Sequence, residues 1–181
     1  MNDHRSGARA TAAGLSAESL AKIDREIAKY PPDQKRSAVM SALTIVQDEH
    51  GWLSTATMDV VARYLAMAPV AVYEVASFYT MYNLAPGGRY KLAICTNLPC
   101  ALSGSEAAAV YLKRKLGVGF NETTADGLFT LKEGECFGAC GDAPVMLVNN
   151  KRMCSFMSNE RLDELVDELR AAPAAPGATT A

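Results

Sequence analysis

The chain has 181 residues, of which 49% are hydrophobic and 21% charged, and its formal net charge is −2. This length and composition suit one ordinary domain or two small ones with enough apolar residues to fill a core. The near-neutral charge gives no electrostatic basis for binding nucleic acid or an anionic membrane surface.

Residues 1–15 are rich in small residues and are predicted to form a disordered leader. They contain nothing that resembles a secretory signal, and Asp3 and the shortness of the segment argue against a mitochondrial transit peptide. We therefore expect a reducing compartment, in which disulfides are disfavoured.

The next segment predicts two helices from the spacing of its apolar residues. The first begins near Ser16 and is stopped by Pro31, and Asp33 is expected to cap the second, which ends at Gly51. The inward-facing residues of the two helices are Leu20, Ile23, Ile27, Val39, Leu43 and Val46.

A third and a fourth helix are predicted to begin at Ser54 and Pro69, since serine caps helices and proline suits the first helical turn. Their inward-facing residues are Met58, Val61, Leu65, Val72, Val75 and Tyr79. Charged residues and proline interrupt the most apolar stretch, residues 58–82, whereas a membrane span needs about 20 apolar residues in a row. We therefore expect no direct membrane span and interpret residues 16–86 as a helical bundle.

Aromatic residues near the end of the fourth helix allow two interpretations. Aromatic residues at helical spacing are most often core, which we predict for Tyr79. Aromatic residues and methionine are also enriched at interface centres, so Phe78, Met81 or Tyr82 are candidates for contact with a partner.

The sequence A-P-G-G at residues 85–88 marks a boundary, after which strands are predicted. Residues 89–94 form a predicted strand that runs into Cys95, and residues 128–132 form a second that leads to Cys136.

Between these strands, S-G-S-E at residues 103–106 is a capping-box pattern that predicts a helix ending at Gly117. Residues 144–148 and 152–156 are predicted to pair as a hairpin. Ser158 is expected to cap a final amphipathic helix.

The predicted order is therefore strand, helix, strand, hairpin, helix, which is a thioredoxin-like arrangement with a right-handed crossover. The predicted fold class is α+β: an N-terminal helical bundle, then a thioredoxin-like α/β domain at residues 87–170. Residues 171–181 are rich in proline and alanine and are predicted to be a disordered tail. In this topology Cys95 and Cys136 follow the carboxyl ends of two strands, which is where open α/β sheets bind ligands.

Four of the five cysteines occur in two pairs, Cys95 with Cys100 in C-T-N-L-P-C and Cys136 with Cys140 in C-F-G-A-C. Thiolates bind soft metals and iron–sulfur clusters, and a 2Fe–2S cluster takes four of them, two per iron. Zinc knuckles and thioredoxin-type dithiols favour two residues between cysteines, whereas these pairs have four and three. The spacing favours a 2Fe–2S cluster, with a zinc-stabilised protein, a dithiol protein and inert buried thiols as alternatives. Cys154 stands alone in a strand-like stretch and is interpreted as a core thiol.

Five motifs carry a family resemblance: H-G-W-L-S at residues 50–54, V-Y-E-V-A-S-F-Y-T-M-Y-N-L at 72–84, C-T-N-L-P-C at 95–100, T-T-A-D-G-L-F-T-L at 123–131 and E-C-F-G-A-C-G-D-A-P-V-M at 135–146. With them, residues 43–148 resemble the small 2Fe–2S subunit of NADH:quinone oxidoreductase (respiratory complex I), a member of the thioredoxin-like ferredoxin family. The resemblance implies that Cys95, Cys100, Cys136 and Cys140 are the metal ligands that bind one 2Fe–2S cluster. It implies no ligand role for Cys154.

The resemblance also implies a partner, a flavoprotein subunit that binds FMN and NADH and exchanges single electrons with this chain. The chain would then be a subunit of the proton-translocating enzyme of the respiratory chain, without a substrate site of its own. It would lie on the cytoplasmic side of the bacterial inner membrane, held there by the complex, with the mitochondrial matrix as the less favoured location.

The sequence contains no G-x-G-x-x-G phosphate-binding fingerprint, so FMN and NADH are expected on the partner only. Its two histidines, His4 and His50, are too few for an acid–base site of the usual kind, and no catalytic residue is assigned. Two alternative functions stay open: the equivalent diaphorase subunit of a soluble NAD-linked formate dehydrogenase or hydrogenase, and a free thioredoxin-like 2Fe–2S ferredoxin.

Overall fold

The computed structural model describes residues 14–173, and the chain divides into two compact units between Pro86 and Gly87. The predicted disordered leader and tail lie mainly outside the described residues and stay predictions. Leu15, at the predicted end of that leader, is fully buried because its apolar side chain packs into the core of the first unit.

The first unit consists of short helices around one apolar core, as predicted. Its α-helices are α1 (Ala17–Ile27), α2 (Val39–His50), α3 (Thr55–Leu65) and α4 (Pro69–Phe78). The Ser54 hydroxyl accepts a hydrogen bond from the Thr57 N–H at the start of α3, and Gly51 ends α2 with a φ of 79°. Both helix boundaries were predicted, because serine and glycine act locally at helix ends.

The predicted cap at Asp33 is wrong. A 3₁₀ helix, Pro32–Ala38, precedes α2, and Asp33 lies in its first turn. The backbone torsion angles of Gln34 are not helical and interrupt the helix there. Helix α2 therefore begins only at Val39, and it has no side-chain cap. Asp33 instead accepts a hydrogen bond from the Gln34 side chain.

The predicted roles of two tyrosines are exchanged in the structure. Helix α4 ends at Phe78, and the extended backbone at Tyr79 turns that side chain outward, so that 40% of Tyr79 is exposed. Tyr82 belongs to the core instead, and its hydroxyl donates to the Met40 carbonyl oxygen at 2.9 Å. Phe78 is 77% exposed and stays a candidate for contact with a partner.

The second unit is built on a four-stranded mixed sheet. Its strands are β1 (Tyr90–Cys95), β2 (Phe129–Gly134), β3 (Met146–Val148) and β4 (Arg152–Cys154), in the order β2-β1-β3-β4. Strands β1 and β2 are parallel, and the other two pairings are antiparallel. The predicted sequence of strand, helix, strand, hairpin and helix is confirmed.

The helices of this unit are α5 (Leu98–Leu102), α6 (Ser105–Leu116) and α7 (Asn159–Ala171). Side chains of α6 and α7 form the core with one face of the sheet, and its fully buried members include Leu92, Ile94, Leu112, Phe129, Leu131, Met146, Leu162 and Val166. No helix within residues 14–173 is long and apolar enough to cross a membrane.

Helix α7 is capped as predicted, since the Ser158 hydroxyl accepts from the Arg161 N–H. The predicted capping box at the start of α6 does not form. Gly104, with a φ of 94°, occupies the N-cap position, and the Ser103 hydroxyl donates to the Pro99 carbonyl oxygen at 2.9 Å. Ser103 is instead the C-cap residue of the short helix α5, and the sequence pattern did not predict that helix.

Candidate metal centre

The parallel pairing of β1 and β2 places their carboxyl ends at one edge of the sheet, with Cys95 in register with Gly134. Cys95 is the last residue of β1, and Cys100 lies on α5 immediately beyond it. Cys136 follows the end of β2, and Cys140 begins a short 3₁₀ helix. The topology therefore brings the two segments that carry the cysteine pairs to the same edge.

Hydrogen bonds join the two segments to each other. The Thr96 hydroxyl donates to a Glu133 carboxylate oxygen at 2.8 Å, and the Asn97 side-chain amide donates to Glu135 at 3.2 Å. The Thr96 backbone N–H also donates to the Gly134 carbonyl oxygen at 3.3 Å. These contacts fix the segment after β1 relative to the segment after β2.

The segment that follows Cys140 is held by the chain beyond β4. The Phe156 N–H donates to the Asp142 carbonyl oxygen at 2.8 Å, and the Met157 N–H donates to the Pro144 carbonyl oxygen at 2.9 Å. The Ser155 hydroxyl donates to the Asp142 carboxylate at 3.1 Å. The segment after Cys140 is therefore held by residues 155–157, directly beyond the end of β4.

Gly134 allows Phe137 to fold back over the end of β2. A Cβ atom at Gly134 would clash with the Phe137 ring and would lie 3.0 Å from the Ile94 carbonyl oxygen. Phe137 packs against the small cluster formed by Cys95, Cys100 and Val145. The absence of a side chain at Gly134 therefore leaves room for the Phe137 ring beside the first cysteine pair.

The four thiols form two pairs that differ in exposure. Cys95 and Cys100 are buried and within hydrogen-bonding reach of each other. Cys136 and Cys140 are exposed and likewise within reach of each other, and the Gly138 N–H donates to the Cys136 sulfur at 3.4 Å. Gly138 has a φ of 74°, a conformation that favours glycine, which directs this N–H toward the sulfur.

Electrostatic interactions link the two pairs. Burial raises the pKa of the Cys100 thiol, and the neighbouring Cys95 and Cys140 thiols raise it further, while a backbone hydrogen bond with Val145 lowers it. Loss of hydration raises the pKa of the Cys140 thiol, and Cys136 and Cys95 add to the rise. Thiols in such surroundings give up their protons when a metal binds, since the bound form is the thiolate.

The donor set agrees in number and type with a 2Fe–2S cluster, which takes four thiolates, two on each of its irons. Thiols of the two pairs lie near enough to affect each other's pKa, as the interactions of Cys140 with Cys100 and of Cys95 with Cys140 show. Within residues 14–173, no three His, Cys, Asp or Glu side chains lie close enough together to hold a single metal ion.

Cys154, by contrast, packs against the main core of the second unit, as expected of a structural thiol. Sequence patterns placed the four paired cysteines at strand ends but did not reveal Gly134 or the links through Thr96 and Asn97. No local pattern identifies these residues, because their roles follow from the register between β1 and β2.

Comparisons with known proteins agree with this geometry. The thioredoxin-like [2Fe-2S] ferredoxin family matches residues 23–170. The chain is 40% identical over 149 residues to "NADH-quinone oxidoreductase subunit 2" of Thermus thermophilus, and the match covers 82% of each chain. It is 42% identical over 164 residues to a NADH-quinone oxidoreductase subunit of Rhizobium meliloti, over 86% of this chain and 96% of that one.

Among solved structures, an NAD+-reducing [NiFe]-hydrogenase in the air-oxidized state is similar, with a TM-score of 0.61 and 21% identity. The match covers 71% of this chain and 22% of the hydrogenase chain. At this identity the likeness shows a shared fold.

Proposed function

The chain belongs to the thioredoxin-like [2Fe-2S] ferredoxin family, and from this membership we propose that it is an electron-transfer subunit of a NADH:quinone oxidoreductase. The observation that carries the proposal is the meeting of two cysteine pairs at the carboxyl edge of β1 and β2. Relatives named as subunits of that oxidoreductase match more than four fifths of the chain, which supports the same assignment.

Each cysteine pair is proposed to bind one iron of a 2Fe–2S cluster, Cys95 and Cys100 the first and Cys136 and Cys140 the second. When bound, the cluster supplies a site that accepts and releases one electron at a time. The chain shields the first pair from water, since Cys95 and Cys100 are buried, and leaves the second pair at the surface. Electrons are therefore proposed to enter and leave past Cys136 and Cys140.

The proposed partner is a flavoprotein subunit that binds FMN and NADH. Apolar side chains beside the cysteines support a docking surface there: Leu98 is 69% exposed and Leu102 is 81% exposed, both on α5, which carries Cys100. We name Leu98 and Leu102 the α5 leucines. Exposed apolar side chains beside a redox site suit contact with another protein, which would bring the flavin close to the cluster.

The chain itself would have no substrate site, because NADH and FMN would bind to the flavoprotein and quinone reduction would occur elsewhere in the complex. Its location is proposed to be the cytoplasmic side of the bacterial inner membrane, where the other subunits would hold it.

Electron exchange with the flavin is the direct test. The cluster-loaded chain is reduced, freed of reductant and mixed anaerobically with the oxidised flavoprotein subunit of a NADH:quinone oxidoreductase, and the reverse mixture is made as well. We expect a one-to-one complex on size-exclusion chromatography. Flavin and cluster absorbance should change together, in the direction set by their potentials.

Free FMN in place of the flavoprotein is the control, because it lacks the docking surface and should react at a rate that rises with its concentration. The proposal fails if the two chains neither bind each other nor exchange electrons in either mixture while both carry their cofactors.

A further inference from the structure

Ser105 has an unusual position at the start of α6. Its side chain is fully buried. Of the buried side-chain nitrogen and oxygen atoms in residues 14–173, only its hydroxyl oxygen lacks a hydrogen-bond partner.

A buried hydroxyl without a partner destabilises the fold, and alanine would fill the same helical position without that cost. Three alanines follow nearby on this helix, at residues 107–109, so the chain accommodates alanine there. The Ser105 hydroxyl therefore lacks the hydrogen-bond partner that buried polar groups in proteins normally have.

The fold places Ser105 at the edge of the sheet that carries the cysteines. Along the chain, α6 follows β1 and precedes β2, which is parallel to β1. The chain therefore enters α6 from the carboxyl end of β1, where Cys95 lies. The buried face of α6 is formed by Ser105, Ala108, Ala109, Leu112 and Leu116. Ser105 is the first of these residues and therefore the one at the cysteine edge.

Hydrogen bonds also tie the start of α6 to Cys100. The Ser103 N–H donates to the Cys100 carbonyl oxygen, and the Gly104 N–H donates to the Ala101 carbonyl oxygen, both at 3.0 Å. The backbone thus passes from Cys100 to Ser105 in about one tight turn. The chain therefore leads directly from α5, which carries Cys100, into the start of α6.

We infer that the Ser105 hydroxyl donates a hydrogen bond to a sulfide of the bound cluster, an inference that rests on the proposed cluster. An added electron makes this sulfide more negative, so a donor stabilises the reduced form and raises the reduction potential. Ser105 is therefore a positioning and tuning residue that completes its hydrogen bonding only when the cluster is present.

Ser105→Ala separates this role from simple packing, because the two forms of the protein should respond in opposite ways. In the cluster-free chain, alanine removes an unpaired hydroxyl, so stability to urea should stay equal or rise. In the loaded chain, the cluster should become harder to reduce, with a roughly tenfold lower ratio of reduced to oxidised form at a fixed ambient potential, or about 59 mV for one electron.

The experiment combines a redox titration with pulsed EPR of the reduced protein in H₂O and D₂O. The wild type should show an exchangeable proton coupled to the cluster, which Ser105→Ala should lose and Ser105→Thr should restore. Ser77→Ala is the matched control, since the Ser77 hydroxyl is exposed in the first unit and donates to the Glu74 carbonyl oxygen.

If Ser105→Ala keeps the cluster, its potential and its full set of exchangeable protons, the inference is wrong while the proposed function stands. If the wild-type chain binds no iron–sulfur cluster under anaerobic reconstitution, the proposed function itself fails. If Ser105→Ala cannot be loaded, the same titration and EPR spectra are compared between Ser105→Thr and the wild type. A wild-type spectrum without any exchangeable proton coupled to the cluster then overturns the inference.

Discussion

Four of the five cysteines are proposed to bind the cluster, whereas Cys154 packs against the sheet core, and single substitutions should separate the two groups. Cys95→Ala or Cys136→Ala removes one of two thiolates proposed for an iron, so each should lose most of the cluster absorbance and iron. Cys154→Ala changes a thiol that packs against the sheet core and should keep the cluster. Iron content and visible circular dichroism provide the measurement. Equal iron in Cys136→Ala and the wild type would contradict the ligand set.

The Phe137 ring packs directly against Gly134, so a side chain at this position should destabilise the fold. Gly134→Ala should force the Phe137 ring from its place and press on the Ile94 carbonyl oxygen. Overpacking of this kind costs about 1–3 kcal/mol, measurable as a lower urea midpoint. Gly141→Ala is the matched control, since a Cβ atom there meets no other atom within 4 Å. Similar midpoints for the two variants would show that the close approach at Gly134 has no energetic consequence.

Lys91 makes stability depend on pH. Burial lowers its pKa from 10.5 to about 8, and the charge of Lys132 on the neighbouring strand contributes. Below pH 8 the buried amine is charged in both states and burial destabilises the fold. Between about pH 8 and 10.5 the native protein has lost this proton while the unfolded chain keeps it, so this group makes stability rise with pH.

Lys91→Met should therefore be more favourable for stability at pH 7 than at pH 10, because it removes the group whose proton the native protein loses over that range. Urea unfolding between pH 7 and 10 measures the difference. Lys132→Met keeps the buried amine of Lys91 and should retain most of the pH slope. A gain for Lys91→Met that is the same at every pH would contradict the assignment.

Helix α5 is proposed to contact the flavoprotein. A carboxylate at one of the α5 leucines, in Leu98→Glu or Leu102→Glu, would be desolvated in that contact, so binding should weaken by roughly tenfold or more. Both side chains are well exposed, so the fold and the cluster should be retained. Isothermal titration with the flavoprotein provides the measurement.

Val110→Glu is the control for this prediction, because Val110 is an apolar side chain of α6 that is 47% exposed outside the proposed contact. Its affinity should match that of the wild type. If the α5 variants bind as tightly as Val110→Glu, the docking surface lies elsewhere, and Phe78 in the first unit becomes the stronger candidate.

The elements also show what sequence patterns can predict. Ser54, Ser158 and Gly51 act on the backbone beside them, so their helix boundaries were predictable. The patterns at Asp33 and Ser103 failed because the neighbouring chain forms a 3₁₀ helix in one case and the short helix α5 in the other.

Apolar periodicity was sufficient to predict a helical part followed by a mixed sheet, because each pattern is regular over several turns or strands. The location of the cysteine pairs at one sheet edge followed from the strand order. The pairing of thiols, the packing of Phe137 on Gly134 and the buried hydroxyl of Ser105 depend on contacts between distant segments, so only the structure reveals them.

We propose that this molecule is an iron–sulfur protein whose four paired cysteines hold one binuclear cluster. The most direct measurement is metal analysis together with EPR of the chain purified without oxygen. We predict a reddish protein with about two irons per chain, little zinc and a rhombic EPR signal after reduction with dithionite. A colourless, EPR-silent protein with one zinc ion per chain would contradict the claim.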